Sequence, residues 1–379
     1  MLRFLTAGES HGPRLTLIVE GLPAGLRIDN GAINRDLLRR QGGYGRGARM
    51  DIERDRAEIV GGVLYGRTTG APVAIQIENK DWANWREHWA AGDLPRLTVP
   101  RPGHADYAGM QKYGVDDARL ILERASARET AARVAAGALA RHLLGEFDVA
   151  VGSYTSEIGG VTARLSELGH GERWSRAETS PVRCPDEEAT AKMCARIDEA
   201  REAGDSLGGV FVVTATGVPV GLGSHVHWDR RLDGRLVWAV MSIPAIKGVE
   251  IGPAFENARK PGTEVHDEFA LSGGGVTRTS NRAGGFEGGM TNGMPIVVRA
   301  AMKPIPTTVR PLRSVDLATG EPAETAYQRS DVCAVPAASI VGEAMVAWIL
   351  ADALLEKLGG DSLAEMESRG RELWGRASS

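Results

Sequence analysis

The sequence predicts an α+β fold in which two related halves pack as a single large domain over residues 1–379. Three observations carry that expectation. EGLPAGL (20–26) returns as TGVPVGL (216–222), each time after a strand-like run and before a helix-like one. Arg124-Ala-Ser precedes the first long apolar helix, and Arg329-Ser-Asp precedes the second. The offsets between echo and helix are similar in the two cases. Chance is the competing explanation, because glycine-proline turns are common. The halves cover about 1–150 and 205–360, with a helical insertion over about 163–204.

The elements follow in order. RLTLIVE (14–20) puts Leu15, Leu17 and Val19 on one face, as a strand does, and the turn GLPAGL ends it. Asn30 is placed to cap a helix over 31–41, which Gly42 and Gly43 stop. AEIVGGVLYG (57–66) and APVAIQIEN (71–79) read as a strand pair, and a polar loop runs on through RPGHADYAG (101–109). Ser126 and Glu129 have the spacing of a capping box, opening a helix to about Leu144. The insertion carries a charged helix over 186–203 that Gly204 ends, and the strand GVFVVTATG (209–217) comes next. An apolar helix from about Pro336 to Leu358, stopped by Gly359 and Gly360, closes the chain.

Composition excludes several classes. The net charge of -4 gives no global basic field, which argues against nucleic acid as the partner. Cys184, Cys194 and Cys333 form no CxxC pair and leave an odd thiol, pointing to a reducing compartment. The start MLRFLTAGES lacks a basic stretch followed by an apolar one, so a cytoplasmic protein is expected. AMVAWILADALL is broken by Asp352 and is too short for a bilayer, so no membrane is expected. Glycine is in excess, 48 residues of 379, against an ordinary share of roughly 7%. The densest glycine stretch, 273–293, also holds Val276, Phe286, Met290 and Met294, which disfavours a plain flexible linker.

The chemistry gathers in four places. Eight arginines lie between Arg35 and Arg67, and those in or beside the glycine loop QGGYGRGAR (Arg40, Arg46, Arg49) suit an anion site. The others read as a solvated face, since lysine occurs only seven times and arginine is the general base of this chain. His11 in TAGESHG and His104 in RPGHAD both sit in glycine-bearing loops near carboxylates, with Arg101 beside the second. A neighbouring anion favours the protonated imidazole, so the pair suggests acid catalysis on an anionic substrate; surface histidines are the alternative. ERASARET opens a helix whose N-terminus favours anions, with Arg124 and Arg128 adding charge; Arg128 as mere helix cover is the other reading. MKPIPTT (302–308) forms a rigid polar turn behind Lys303, and Asp331 in RSD is either a site carboxylate or the cap of the last helix. His225, His227 and Asp229 alternate but lack a further ligand, so no metal is expected. No GxxxxGK[ST], no GxGxxG after a strand and no GxSxG occurs.

Taken together, GESHG, RPGHAD, RASARET, NRAGGFEGG with KPIPTT, and RSDVCAVPAASIVGEAM resemble the blocks of the chorismate synthase family, in order, from residue 1 to about 358. The resemblance implies a β-α-β sandwich and a cytoplasmic homotetramer that converts 5-enolpyruvylshikimate 3-phosphate to chorismate by anti-1,4-elimination of phosphate. It implies reduced FMN as cofactor without net redox change. NADPH is one implied source of the electrons and an external flavin reductase another; no reductase domain is visible, which favours the second. By the same resemblance His11 is a proton donor near the flavin, His104 protonates the departing phosphate, and Asp331 helps remove the substrate proton. Arg40, Arg46 and Arg49 match substrate-gripping arginines, the first two also matching NADP positions, and Arg101 and Arg128 match further anchors. FMN contacts map onto Arg124, Ala125, Ser126, Asn257, Ala258, Gly288, Lys303, Pro304, Ile305, Pro306, Thr307 and Arg329.

Two other classes compete. A flavin-independent phosphatase or phosphate lyase would use the same histidines and arginines. An RNA-binding module would call for exposed aromatics, yet aromatics make up only 5% of the chain.

Overall fold

In the computed structural model, which describes residues 1–47, 53–165, 168–272, 275–326 and 330–375, the period-two pattern builds two antiparallel sheets. Strands β1 (Arg3–Ala7), β2 (Arg14–Glu20), β3 (Ala57–Gly61) and β4 (Val73–Glu78) form the first, in the order β1-β2-β4-β3. Leu15, Leu17, Val19, Val73, Ile75 and Ile77 are buried on its inner face. Strands β5 (Ala150–Ile158), β6 (Gly209–Thr216), β7 (Ile246–Ile251) and β8 (Ile296–Met302) form the second, in the order β5-β6-β8-β7, with Val161–Thr162 at the β5 edge.

Helices α1 (Asn30–Gln41) and α2 (Thr130–Gly145) belong to the first half. The insertion supplies α3 (His170–Thr179) and α4 (Glu187–Glu202). Helices α5 (Leu232–Met241), α6 (Val335–Leu358) and α7 (Leu363–Trp374) follow. Helix α2 rests on β2 and β4, α6 rests on β5 and β6, and the two helices pack on each other between the sheets. The result is a β-α-β sandwich. Its halves share one element order, β1-β2-α1-β3-β4-α2 and β5-β6-α5-β7-β8-α6, and one sheet order.

The echo in the sequence is an echo in structure. Gly21 and Gly217 take φ of +95° and +75°, and Gly25 and Gly221 take +90° and +88°. In the first copy Thr68 Oγ1 accepts from Leu26 N at 3.0 Å and donates to Pro23 O at 2.6 Å. In the second, Thr291 Oγ1 accepts from Leu222 N at 2.9 Å and donates to Pro219 O at 2.6 Å. A repeated hydrogen-bond pattern at equivalent positions is beyond what a common turn type produces.

Small residues let the two central helices meet. A Cβ added at Gly137 of α2 would lie 2.3 Å from Ala344 Cα of α6. On α6, the same addition at Gly342 would lie 2.6 Å from a ring carbon of Phe211 on β6. Glu343 lies between these contacts and is buried in the most apolar helix of the chain. It accepts from Arg39 of α1 at 2.8 Å, from Arg141 of α2 at 3.0 Å and from Ser153 of β5 at 2.7 Å. Burial opposes its ionisation, but the field of Arg39, Arg141 and Arg183 prevails and holds its carboxyl below the ordinary range. Arg39, read from sequence as part of a solvated face, is instead drawn inward by this carboxylate. Helix α6 is long and apolar enough to cross a membrane, yet 94% of its most apolar window is buried in protein, so it is a core helix.

Several local expectations need correction. Asp29, still extended, caps α1 by accepting from Gly31 N at 2.8 Å, whereas Asn30 is already helical. Ser126 accepts from Arg128 N at 3.3 Å, but no capping box forms there. Glu129 turns instead to Arg133 at 3.0 Å and Thr6 at 3.2 Å, an i,i+4 ion pair that outcompetes the cap. The capping box belongs to α7, formed by Ser362 and Glu365, in a helix beyond the expected end of ordered elements. The loop 101–109 turns helical at Asp106, and α3 was not foreseen in the insertion. The glycine-rich segment contains strand residues 275–278, 286–287 and 290–291, paired as hairpins.

Gly137→Ala, although it improves intrinsic helix propensity, is expected to destabilise the protein by about 1–3 kcal/mol through overpacking against α6. A urea midpoint equal to or above that of the unsubstituted protein would contradict this close approach.

Candidate active site

The turn after β1 carries Ser10 and His11, and the backbone there is tied down: Ser10 N donates to Glu123 O at 3.0 Å. His11 Nδ1 lies 2.8 Å from Glu123 Oε1, and its backbone N donates to Glu123 Oε2 at 2.8 Å. Its ring stacks on Trp85 with centroids 4.2 Å apart. His104 lies in the turn before the helix Asp106–Tyr113, with Nδ1 against Asp106 Oδ1. Asp106 also accepts from Arg101 Nε at 2.8 Å. Burial works against the Asp106 charge, but the His104 and Arg101 hydrogen bonds outweigh it and hold the carboxyl well below the usual carboxylate range.

The end of α1 and the loop behind it bring the arginines. Arg40 is buried, reaches Asp55 at 3.2 Å, and has no hydrogen-bond partner at Nε among the described residues. Burial pushes its pKa down to about 10, and nearby Arg128 and Arg46 add to that against the pull of Asp55. Asp55 also takes Arg128 at 2.6 Å, and Arg128 Nε donates to Asn79 at 2.7 Å. Arg128 is therefore no helix cover; it is a buried, fully oriented cation. The arginine loop docks on the segment before α6, where Val332 N donates to Gly45 O at 2.8 Å. Gly45 has φ +86° and a Cβ there would lie 2.9 Å from Ile197, so only glycine fits. Asp331 accepts from Gly47 N at 2.7 Å and pairs with Arg46 at 2.7 Å. It does not cap α6, whose N-cap is Ala334 without a side-chain bond.

The two histidines, the arginines and Asp331 line one cavity of about 780 Å³. From the first half come His11, Arg40, Arg46, Arg101, His104, Ala125, Ser126 and Arg128; from the second come Lys303, Ile305, Pro306, Thr307 and Asp331. Equivalent connections of the two halves face each other: the loops after α1 and α5, and the approaches to α2 and α6. Among the described residues the lining holds six permanent cations (Arg40, Arg46, Arg101, Arg119, Arg128, Lys303) and one carboxylate, Asp331.

The comparisons decide the family. A family model described as chorismate synthase matches residues 2–355. The chain belongs to the chorismate synthase family. It is 59% identical over 372 residues to the chorismate synthase of Desulforudis audaxviator, covering 97% of this chain and 95% of that protein. Against the chorismate synthase of Geobacter sulfurreducens it is 57% identical over 379 residues, covering 97% and 96%. A solved structure described as a crystal structure of chorismate synthase superposes with TM-score 0.80 at 46% identity, covering 100% of this chain and 98% of that one. An enzyme of this family is a lyase, and the α+β sandwich of two halves accords with it.

Some expected site residues fall elsewhere. Asn257 and Ala258 are outside the cavity, and Asn257 Nδ2 donates to Arg282 O at 2.9 Å. Ile243, Pro244 and Ala245, not expected from the sequence, line the cavity. Ala245 has φ +68°, and its carbonyl accepts from Lys303 N at 3.0 Å, which anchors the lysine turn. Gly288 sits in a hairpin turn beside His225, and Pro304 is not part of the lining. Arg124 also points away, donating to Thr6 O at 3.0 Å. Arg49 and Arg329 lie outside the described residues. Sequence reading missed Trp85, Arg119, Glu123 and Ala245. A signal existed for the first, since Trp82, Trp85 and Trp89 crowd one short segment.

Asp106, with its depressed folded-state pKa, contributes stability in full at neutral pH and loses it as pH falls below the ordinary carboxylate range of about 4. The urea-midpoint gap between the parent protein and Asp106→Asn is therefore expected to narrow from pH 7 to pH 3; a widening gap would contradict the assignment.

Proposed function

We propose that this cavity binds 5-enolpyruvylshikimate 3-phosphate beside reduced FMN and eliminates phosphate in the anti-1,4 sense to give chorismate. The observation that carries the reading is the lining itself: six permanent cations, two carboxylate-backed histidines and one carboxylate converge from both halves. Substrate and FMN are both polyanions, so their side-by-side binding demands such an excess of positive charge. The buried Nε of Arg40, without a partner among the described residues, and the turn Ala127–Glu129 that Ser126 caps ahead of α2 fit an anionic ligand.

Arg40, Arg46, Arg101 and Arg128 hold the phosphate and carboxylates of the substrate. Ala125, Ser126, Lys303, Ile305, Pro306 and Thr307 hold FMN. Bound there, reduced FMN would supply electron density for the elimination with no net redox change. His104 gives its proton to the departing phosphate, and His11 holds a proton at the other side. Asp331, the lone carboxylate of the described lining, receives the proton lost from C6, and its bonds from Arg46 and Gly47 orient it. Trp85, Leu97, Ile243 and Val341 provide apolar wall that excludes water from the reacting atoms.

Reduction of the flavin is assigned to an external reductase, with NADPH acting directly at Arg40 and Arg46 as the other source. Self-association into a homotetramer is supported by the outer face of the first sheet. There Leu5, Ile18 and Val60 are exposed, whereas α3 covers the outer face of the second sheet through Trp174 and Ala177.

Anaerobic incubation with chemically reduced FMN and 5-enolpyruvylshikimate 3-phosphate is expected to release chorismate and phosphate in equal amounts. Phosphate released without flavin would identify a flavin-independent phosphatase or phosphate lyase instead. His11→Ala and His104→Ala are each expected to slow turnover by roughly 100-fold or more while FMN still binds; a near-normal rate removes that histidine from the chemistry. Asp331→Asn should alter the deuterium isotope effect at C6, and an unchanged effect and rate would reduce Asp331 to a structural partner of Arg46.

A further inference from the structure

Glu123 belongs to the helix Arg119–Ala125, 112 residues from His11 in sequence, and only 6% of its side chain is exposed. Its carboxylate is absent from the cavity lining, so it acts on whatever the cavity binds only through His11. Both of its oxygens are committed to that one residue. Oε2 receives the His11 backbone N–H at 2.8 Å, a group that can only donate. Oε1 faces Nδ1 at 2.8 Å. An imidazole is the stronger base of the two by about 2 pKa units in ordinary surroundings, so the shared hydrogen resides on nitrogen.

We infer that Glu123 is a positioning residue: it fixes the ring hydrogen of neutral His11 on Nδ1 and leaves Nε2 as the atom that exchanges a proton with the cavity. Trp85 supplies the second constraint. Its ring lies against the imidazole at an interplanar angle of 34°, which opposes rotation of the imidazole out of register with Glu123. Trp85 is itself held, since Nε1 donates to Asp81 at 3.3 Å. The Ser10 N to Glu123 O bond then fixes the loop to the helix, so ring, carboxylate and backbone form one rigid unit. At His104 the analogous carboxylate, Asp106, is shared with Arg101, so of the two cavity histidines His11 is the one whose carboxylate is not shared with a lining arginine.

The inference deepens, and rests on, the reading of His11 as a proton donor, but its test is separate. Glu123→Gln preserves shape and has a defined consequence. The backbone N–H of His11 still needs an acceptor, so the amide oxygen turns to it and the amide NH2 faces Nδ1. Nδ1 must then accept, and the ring hydrogen moves to Nε2.

The experiment is magic-angle-spinning NMR of the full chain labelled with 15N-histidine, at a pH where the ring is neutral, with His11→Asn to assign the signal. The parent protein is expected to show protonated Nδ1 and bare Nε2, and Glu123→Gln the reverse. Protonated Nε2 in the parent overturns the inference whether or not the variant folds, and so does an unchanged tautomer in a folded Glu123→Gln. With the tautomer reversed, kcat is expected to fall roughly 100-fold or more with KM little changed. A reversed tautomer with unchanged kcat upholds the positioning by Glu123 and removes His11 as the proton donor.

Discussion

The approach of α2 to α6 at Gly137 and Ala344 is the constraint from which the cavity follows. Two sheets can share one helical layer only if the helices between them come close, and glycine and alanine permit that where larger residues do not. Glu343 adds a directional element to the contact: a charge buried in α6 is tolerable only where Arg39, Arg141 and Arg183 meet it. With the two helices fixed in this register, their first turns share one side of the sandwich, and the loops of both halves meet over them.

Charge in the cavity is organised by the same logic of pairing. Asp55 holds Arg40 and Arg128, Asp106 holds Arg101 and His104, Glu123 holds His11, and Asp331 holds Arg46. Three of these four carboxylates stand behind the lining, so they orient the cations without cancelling the field that faces a ligand. The cations are preorganised, and a ligand does not have to order them.

Much of this was legible in the sequence because it is local. The period of RLTLIVE, the glycine stops of α1 and α6, and the loop settings of His11 and His104 all depend on neighbours within a few residues. The repeat of EGLPAGL was legible for a related reason: a turn with positive φ at two positions demands glycine at both. What escaped depends on distant partners. Glu129 was expected to cap α2, but Arg133 and Thr6 compete for it. Glu123 meets His11 only after the first half has folded, and Glu343 lies in a run so apolar that its arginines cannot be inferred. The Ala245 turn also lines the cavity, and its left-handed backbone at a non-glycine residue leaves no mark in the sequence.

The central claim is that one cavity, assembled from both halves, receives substrate and flavin together. A crystal structure of the protein with FMN and 5-enolpyruvylshikimate 3-phosphate tests it most directly. The account predicts both ligands between His11 and Asp331, with phosphate and carboxylate oxygens on Arg40, Arg46, Arg101 and Arg128. Flavin bound instead at the Asn257 segment or the Gly288 turn, with the cavity filled by water alone, would contradict it.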